Sequence, residues 1–217
     1  MDKSYKVIAH TGCMGTMMNQ LESVRKALEY EVDYIEVDVR FGADGPILTH
    51  NLPEEGKGCI LLRDVLPVIQ KVPGVGIALD LKEWDRVRET VEVLDQYGMR
   101  DRAVYLGNFM GDMDHMKENG GGVPCFPNVY REQIKGRSAK ELDETAREAA
   151  KRGAQAVGMN YLAVTKEVVE AFHRHGVGVS VWTVDEQDAV TDMRDIGVDF
   201  ITSDRLDFIT DRMFREN

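Results

Sequence analysis

A chain of 217 residues that is 43% hydrophobic and 30% charged is long enough for one large domain or two small ones, with ample apolar material for a core. Its formal net charge of −11 argues against a nucleic-acid partner, because no surplus of Lys and Arg is available to replace phosphate counterions, and against polybasic attachment to a membrane. It leaves a small phosphate substrate open, since a metal ion can supply positive charge locally. No apolar run is long enough to span a bilayer, so no integral membrane segment is expected. The first strand-like run begins within a few residues of Met1, so no signal peptide is visible; a cytoplasmic location is expected, with a trimmed secreted form as the alternative. The three cysteines, Cys13, Cys59 and Cys125, are odd in number and widely spaced. That is a poor disulfide framework and fits a reducing compartment; with no Cys-x-x-Cys pair, a structural zinc is not expected.

Strand-like and helix-like segments alternate from end to end. Residues 5–10 read as a strand and 17–30 as a helix; 34–39 is a strand and 46–50 a short extended piece. Residues 62–72 place Leu62, Val65, Leu66 and Ile69 at helical spacing. A strand over 76–81 precedes a helix over 83–97 that ends at Gly98. A strand over 103–107 and a short helix near 112–118 lead to the turn Gly120-Gly121-Gly122 and a strand over 123–126. Ser138 caps a strong helix over 138–152, with Glu141 completing a capping box. Strands over 156–159, 177–184 and 199–202 then alternate with helices over 165–175, 186–196 and 206–214. About eight βα units in series imply parallel strands with right-handed crossovers. Eight units suggest a single-domain TIM barrel over residues 1–217, the length such a barrel needs; a doubly wound open sheet is the alternative.

Strand parity locates the chemistry. Glu36 and Asp38 are two residues apart and point the same way, while Ile35, Val37 and Val39 point the other way. Asp80 and Lys82 repeat the arrangement, with Leu79 and Leu81 opposed. His10 ends the first strand-like run, and His50 follows Asp44-Gly45 and Thr49. These polar residues lie toward the C-terminal ends of the first three strands, the end that carries the active site in a barrel. Three converging carboxylates repel one another, and a hard divalent cation, Mg²⁺ or Ca²⁺, relieves that repulsion. Lys82 adds a charge that can hold a phosphate oxygen, and two histidines can act as base and acid. Each feature alone has a plain structural reading: a solvated Glu-x-Asp pair, an Asp80–Lys82 ion pair, a core histidine.

Jointly, the order His-x-Gly, Ile-Glu-x-Asp-Val, Asp-Gly, His and Leu-Asp-Leu-Lys resembles the glycerophosphodiester phosphodiesterases. So do Val181-Trp182-Thr183-Val184-Asp185 and Gly197-Val198-Asp199-Phe200-Ile201-Thr202-Ser203-Asp204, which are similar to that family's seventh and final strands. The similarity is least clear from about Asn108 to Gln155. The resemblance implies a TIM barrel, a divalent metal and cleavage of a phosphodiester. By matching position it makes Glu36, Asp38 and Asp80 metal ligands, His10 and His50 the catalytic pair, Lys82 a phosphate contact and Trp182 an apolar wall of the substrate pocket.

The chain departs from the common pattern in several places. The usual His-Arg-Gly is His10-Thr11-Gly12, and Pro-Glu-Asn-Thr is Met17-Met18-Asn19-Gln20, so one Arg and one Glu are absent together. The usual His-Asp is His50-Asn51, and the third ligand, commonly Glu, is Asp80. The segment after His50 is also short. Several of these features resemble the sphingomyelinase D-like branch, which implies formation of a cyclic phosphate, although that branch's disulfide has no counterpart here. A phosphate-binding protein without catalysis is the third reading. The expected partner is a small phosphodiester; the exposed helix faces are too mixed to give an oligomeric state.

Overall fold

The computed structural model describes residues 5–51 and 58–210. Seven parallel strands form the frame: β1 (Lys6–Ala9), β2 (Tyr34–Gly42), β4 (Gly76–Leu81), β5 (Ala103–Leu106), β6 (Ala156–Asn160), β7 (Gly178–Trp182) and β8 (Phe200–Ser203). Their order across the sheet is β5-β4-β2-β1-β8-β7-β6, and β3 (Gly45–Leu48) pairs antiparallel with the end of β2. The gap between β5 and β6 is filled by the extended segment 123–129. Tyr105 N donates to Pro124 O at 2.8 Å and Phe126 N to Tyr105 O at 2.9 Å. On the other side Gly158 N donates to Pro127 O at 3.0 Å and Val129 N to Gly158 O at 2.9 Å. Pro124 and Pro127 lack N–H donors, so this stave is held by isolated bridges rather than a regular ladder. It is the expected strand over 123–126, and it closes the barrel.

The helices alternate with the strands: α1 (Leu21–Ala27), α2 (Leu62–Gln70), α3 (Val87–Gln96), α4 (Met113–Asn119), α5 (Arg131–Ile134), α6 (Ala139–Lys151), α7 (Lys166–His173), α8 (Gln187–Asp195) and α9 (Leu206–Ile209). The capping box at α6 forms as read, with Ser138 N donating to Glu141 Oε2 at 2.8 Å and Glu141 N to Ser138 Oγ at 3.4 Å. The first helix starts four residues later than its apolar pattern suggests. Asn19 takes a left-handed conformation (φ 56°) and spends its side chain on the site, which ends any helical path through 17–20. The short helix α5 carries no helical period of its own and was not anticipated. The expected helix over 206–214 is described only to residue 210; its remainder lies outside the described residues.

Strand parity divides the core in two. Ile35, Val37, Val39, Leu79 and Leu81 face outward and are buried with helix residues such as Val65, Leu66 and Ile69. Inside the barrel a smaller plug of Ile8, Ala78, Val104, Phe126 and Ala156 packs with Tyr34, Leu106 and Phe200. Phe126 and Phe200 stack with centroids 4.8 Å apart, and Lys6 Nζ lies over the Tyr34 and Phe200 rings at 5.7 and 5.9 Å. Each large side chain buried here contributes about 1.5–3 kcal/mol. The plug fills the lower lumen, so the upper lumen is left to polar residues.

Cys13 and Cys125 are buried packing residues, and burial pushes their thiols up to about 11 and about 12. A raised thiol pKa keeps the sulfur protonated, so at pH 8 only about 1 in 10³ or fewer of these groups is a reactive thiolate. Ellman's reagent at pH 8 should therefore react rapidly with Cys59 alone in the folded protein and with all three thiols after denaturation. Rapid reaction of two or three thiols in the native protein would contradict this packing.

Candidate active site

The register of the barrel builds an acidic cluster. Parallel pairing sets Asp38 opposite Asp80 and Glu36 opposite Ala78, whose methyl side chain leaves room above the plug. One oxygen from each of Glu36, Asp38 and Asp80 lies within 4.8 Å of the others. Glu36 and Asp38 are 3% and 2% exposed. Burial raises the pKa of Glu36; His10 opposes the rise, and the charges of Asp38 and Asp80 add to it. Burial raises Asp80 too, with Lys82 opposing. Carboxylates so placed cannot all ionise without a counter-charge.

Part of that charge comes from Lys82, whose Nζ lies 2.6 Å from Asp80 Oδ2 and 2.8 Å from Asp38 Oδ1. Burial alone would lower the pKa of this ammonium, but Asp80 and Asp38 outweigh it and raise it, so Lys82 is held charged. Asp80 Oδ1 nonetheless has no hydrogen-bond partner; among the buried side-chain polar atoms of the described residues it shares that state only with Asn108 Oδ1. Such an orphan costs about 1–3 kcal/mol. Gly107 backs this carboxylate: its φ is +83°, and a Cβ there would collide with Asp80 Oδ1 and Leu81 O.

The loop after β1 is latched to the same carboxylates. Thr11 N donates to Glu36 Oε2 at 2.8 Å. Asn19 Nδ2 donates to Asp38 Oδ2 at 2.8 Å and Asp38 N to Asn19 Oδ1 at 2.9 Å. Asn19 N donates in turn to Thr11 Oγ1 at 2.6 Å, and Met18 packs against Gly12.

The two histidines are held differently. His10 Nδ1 lies 2.8 Å from Asp204 Oδ1, and Nε2 lies 4.0 Å from Glu36 Oε2. Burial lowers the pKa of His10, but the Asp204 hydrogen bond and the charges of Glu36, Asp204 and Asp38 outweigh it and raise it to about 9. Asp204 is placed by Asp185, whose Oδ1 accepts from Asp204 N at 2.8 Å and from Ser203 Oγ at 3.1 Å. His50 arrives by a hairpin: β2 turns back at residues 43–44, β3 runs antiparallel, and Thr49 N donates to Asp38 O at 3.1 Å. Arg40 Nε donates to His50 O at 2.9 Å and pairs through Nη1 with Glu83 at 2.8 Å. The His50 ring is exposed, with Asn51 Oδ1 3.3 Å from its Nδ1.

All seven residues singled out in the sequence (His10, Glu36, Asp38, His50, Asp80, Lys82 and Trp182) line one cavity of about 490 Å³. His50 is the outlier, exposed at the rim and, among the described residues, without a carboxylate hydrogen-bonded to its ring. Sequence reasoning missed Asn19, Asp204 and an aromatic strip on the cavity wall. In that strip Trp84 and Phe109 meet edge-on at 5.4 Å, and Phe109 and Tyr130 at 5.9 Å. Asp204 ends a segment already resembling the family's last strand, and Asn19 sits where Pro-Glu-Asn-Thr carries its Asn; those were the available signals. The strip had none, because its three rings come from separate loops.

No curated protein matches the chain in sequence. Solved structures do resemble it in fold. A glycerophosphodiester phosphodiesterase from Parabacteroides distasonis superposes with a TM-score of 0.76 at 20% identity, over 94% of each chain. A phosphodiesterase from Oleispira antarctica, solved with its product sn-glycerol-3-phosphate, gives 0.75 at 20% identity, again over 94% of each chain. A glycerophosphodiester phosphodiesterase from Thermotoga maritima gives 0.69 at 22% identity, over 93% of this chain and 95% of that one. At these identities the likeness shows the barrel alone. The sequence profile of the Glycerophosphoryl diester phosphodiesterase family matches residues 66–208, a span that contains Asp80, Lys82 and Trp182 and stops short of His10, Glu36, Asp38 and His50. With about two thirds of its length matched, the chain belongs to the glycerophosphoryl diester phosphodiesterase family and is a phosphoric diester hydrolase.

Proposed function

We propose that this chain, acting as one catalytic domain, cleaves glycerophosphodiesters or related lipid head-group phosphodiesters. In this reading Glu36, Asp38 and Asp80 hold one divalent cation, Mg²⁺ or Ca²⁺, and His10 and His50 exchange the protons. The observation that carries it is the charge balance of the cluster. With Asp204 counted beside its partner His10, four carboxylates are set against two cations, His10 and Lys82, which leaves two negative charges, and Asp80 Oδ1 is buried without a partner. An all-oxygen donor set of that charge suits a hard divalent ion. When bound, such an ion supplies Lewis-acid stabilisation of charge on the phosphate oxygens.

The chain's own groups do the rest. Lys82, mostly buried and held between Asp38 and Asp80, adds a fixed positive charge beside the phosphate position. Asp204 occupies His10 Nδ1 and so leaves Nε2 facing the cavity as the atom that exchanges a proton. His50 stands at the opposite end of the acidic layer. One histidine takes the proton of the attacking hydroxyl, and the other returns one to the departing oxygen. Trp182, with Trp84 and Phe109, forms an apolar wall for the parts of the substrate that do not react. The glycerol-3-phosphate held by the Oleispira antarctica phosphodiesterase is a product of the expected kind.

Turnover of sn-glycero-3-phosphocholine should yield glycerol phosphate and free alcohol in ³¹P NMR with Mg²⁺ or Ca²⁺ present and stop in chelator. A cyclic phosphate as the final product would instead assign intramolecular attack, and metal-independent turnover would remove the cation from the reading. His10→Ala and His50→Ala should each lower kcat by roughly 10²–10⁴-fold while calorimetric metal binding stays near wild type. Normal turnover by His50→Ala would sink the acid–base pair.

Asn19→Ala, which strips a partner from Asp38, should weaken metal affinity by roughly 10–100-fold, and Asp38→Asn should weaken it further. The reverse ranking would show that Asp38 is not a ligand. Asp204→Asn should lower kcat at nearly unchanged KM, since it leaves the cavity intact and loosens one imidazole; a pure KM effect would mean that Asp204 serves substrate binding instead.

A further inference from the structure

Among the described residues, six large apolar side chains stand exposed: Met17 (68%), Met18 (45%), Phe109 (45%), Tyr130 (41%), Leu162 (70%) and Phe208 (37%). All six follow the C-terminal ends of barrel staves. Met17 and Met18 follow β1, Phe109 follows β5, Tyr130 follows the closing segment, Leu162 follows β6, and Phe208 lies in α9 just after β8. Those staves form two runs of the ring, β1 with β8 and β6 with the closing segment and β5, so the residues border the mouth of the cavity on either side of β7 and leave the β2–β4 side without any of them. Exposed apolar side chains scattered singly are ordinary on any protein; confinement of all of them to one end is not.

Two of these loops are also free of charge: residues 11–20 and 161–165 contain no Asp, Glu, Lys or Arg, in a chain where 30% of residues are charged. The loops after β4, β7 and β8 at the same end carry charges such as Lys82, Glu83, Glu186 and Arg205, so Met17, Met18 and Leu162 form the uncharged part of the rim. The apolar rim is also continuous with the interior, because Trp84, Phe109 and Tyr130 form one chain of ring contacts from cavity wall to exposed edge.

We infer that the partial rim of exposed apolar side chains beside the cavity mouth docks this protein on a zwitterionic lipid surface, with the cavity opening at that surface. Side chains such as Met17 and Leu162 enter the boundary between head groups and acyl chains, and the uncharged loops behind them cross that boundary at little electrostatic cost. The net charge of −11 sets the choice of surface: an anionic bilayer repels the protein, and so does a second copy of the same chain. The docking itself does not rest on the proposed reaction; only the identity of what enters the cavity does.

The test is flotation with phosphatidylcholine vesicles, beside turnover of the soluble diester bis(p-nitrophenyl) phosphate. Wild type should float with the vesicles. Met17→Gln combined with Leu162→Gln should cut partitioning about tenfold or more while leaving turnover of the soluble diester unchanged, since neither residue lines the cavity. A Met17→Ser, Leu162→Ser pair with a wild-type thermal melt guards against misfolding and should show the same loss. Wild type that stays in the aqueous phase, variants that float like wild type, binding to phosphatidylserine vesicles alone, or a dimer in place of lipid binding would each overturn the proposal. Failure to cleave the soluble diester would instead count against the proposed function and leave the flotation result standing.

Discussion

Everything at the top of this barrel follows from packing three carboxylates together at the base of one cavity, two of them almost wholly buried. Burying an ion costs several kcal/mol after relaxation, against a total folding stability of about 5–15 kcal/mol. Glu36 and Asp38 are nearly inaccessible, so their surroundings must answer for them. The Thr11 amide and His10 face Glu36, Asn19 and Lys82 hold Asp38, and Lys82 reaches across to Asp80. Gly107 beside it is bare because a Cβ there would strike Asp80 Oδ1. The answer is incomplete at one atom, Asp80 Oδ1, and that is the shortfall the proposed cation would make good.

The loop after β1 shows how neutral residues can do work that charged ones do elsewhere. Where the family pattern has an Arg and a Glu, this chain has Thr11 and Met18. Position 18 does lie against the backbone beside position 11, since Met18 packs on Gly12, and that is the proximity an ion pair would need. Here Thr11 turns its hydroxyl to Asn19 instead, and Asn19 reaches Asp38. The site keeps its anchor to the loop, and the joint absence of one Arg and one Glu leaves the net charge unchanged.

Much of this was legible in the sequence because it is local. Strand parity needs only neighbours, and it set Glu36, Asp38, Asp80 and Lys82 on one face; the barrel followed from eight alternating units. Asp204 and His10 are 194 residues apart, so no local pattern could pair them. The start of α1 was misplaced because the apolar period continues through Met17 and Met18 while Asn19 leaves the helix to bond Asp38. The closing stave was legible as a strand, yet its two prolines make it a bridge-held one. The aromatic wall was illegible: Trp84, Phe109 and Tyr130 meet only because three separate loops converge over the cavity.

The hairpin that carries His50 has a consequence for how such a site can change. His10 is locked between the strand ladder and Asp204, whereas His50 hangs from β3, outside the ring of parallel staves, and is tied down through its backbone by Arg40 and Glu83. One half of the proposed acid–base pair thus belongs to the frame and the other to an attachment. A change in the hairpin between β2 and β3 can therefore reposition His50 while every parallel strand keeps its register.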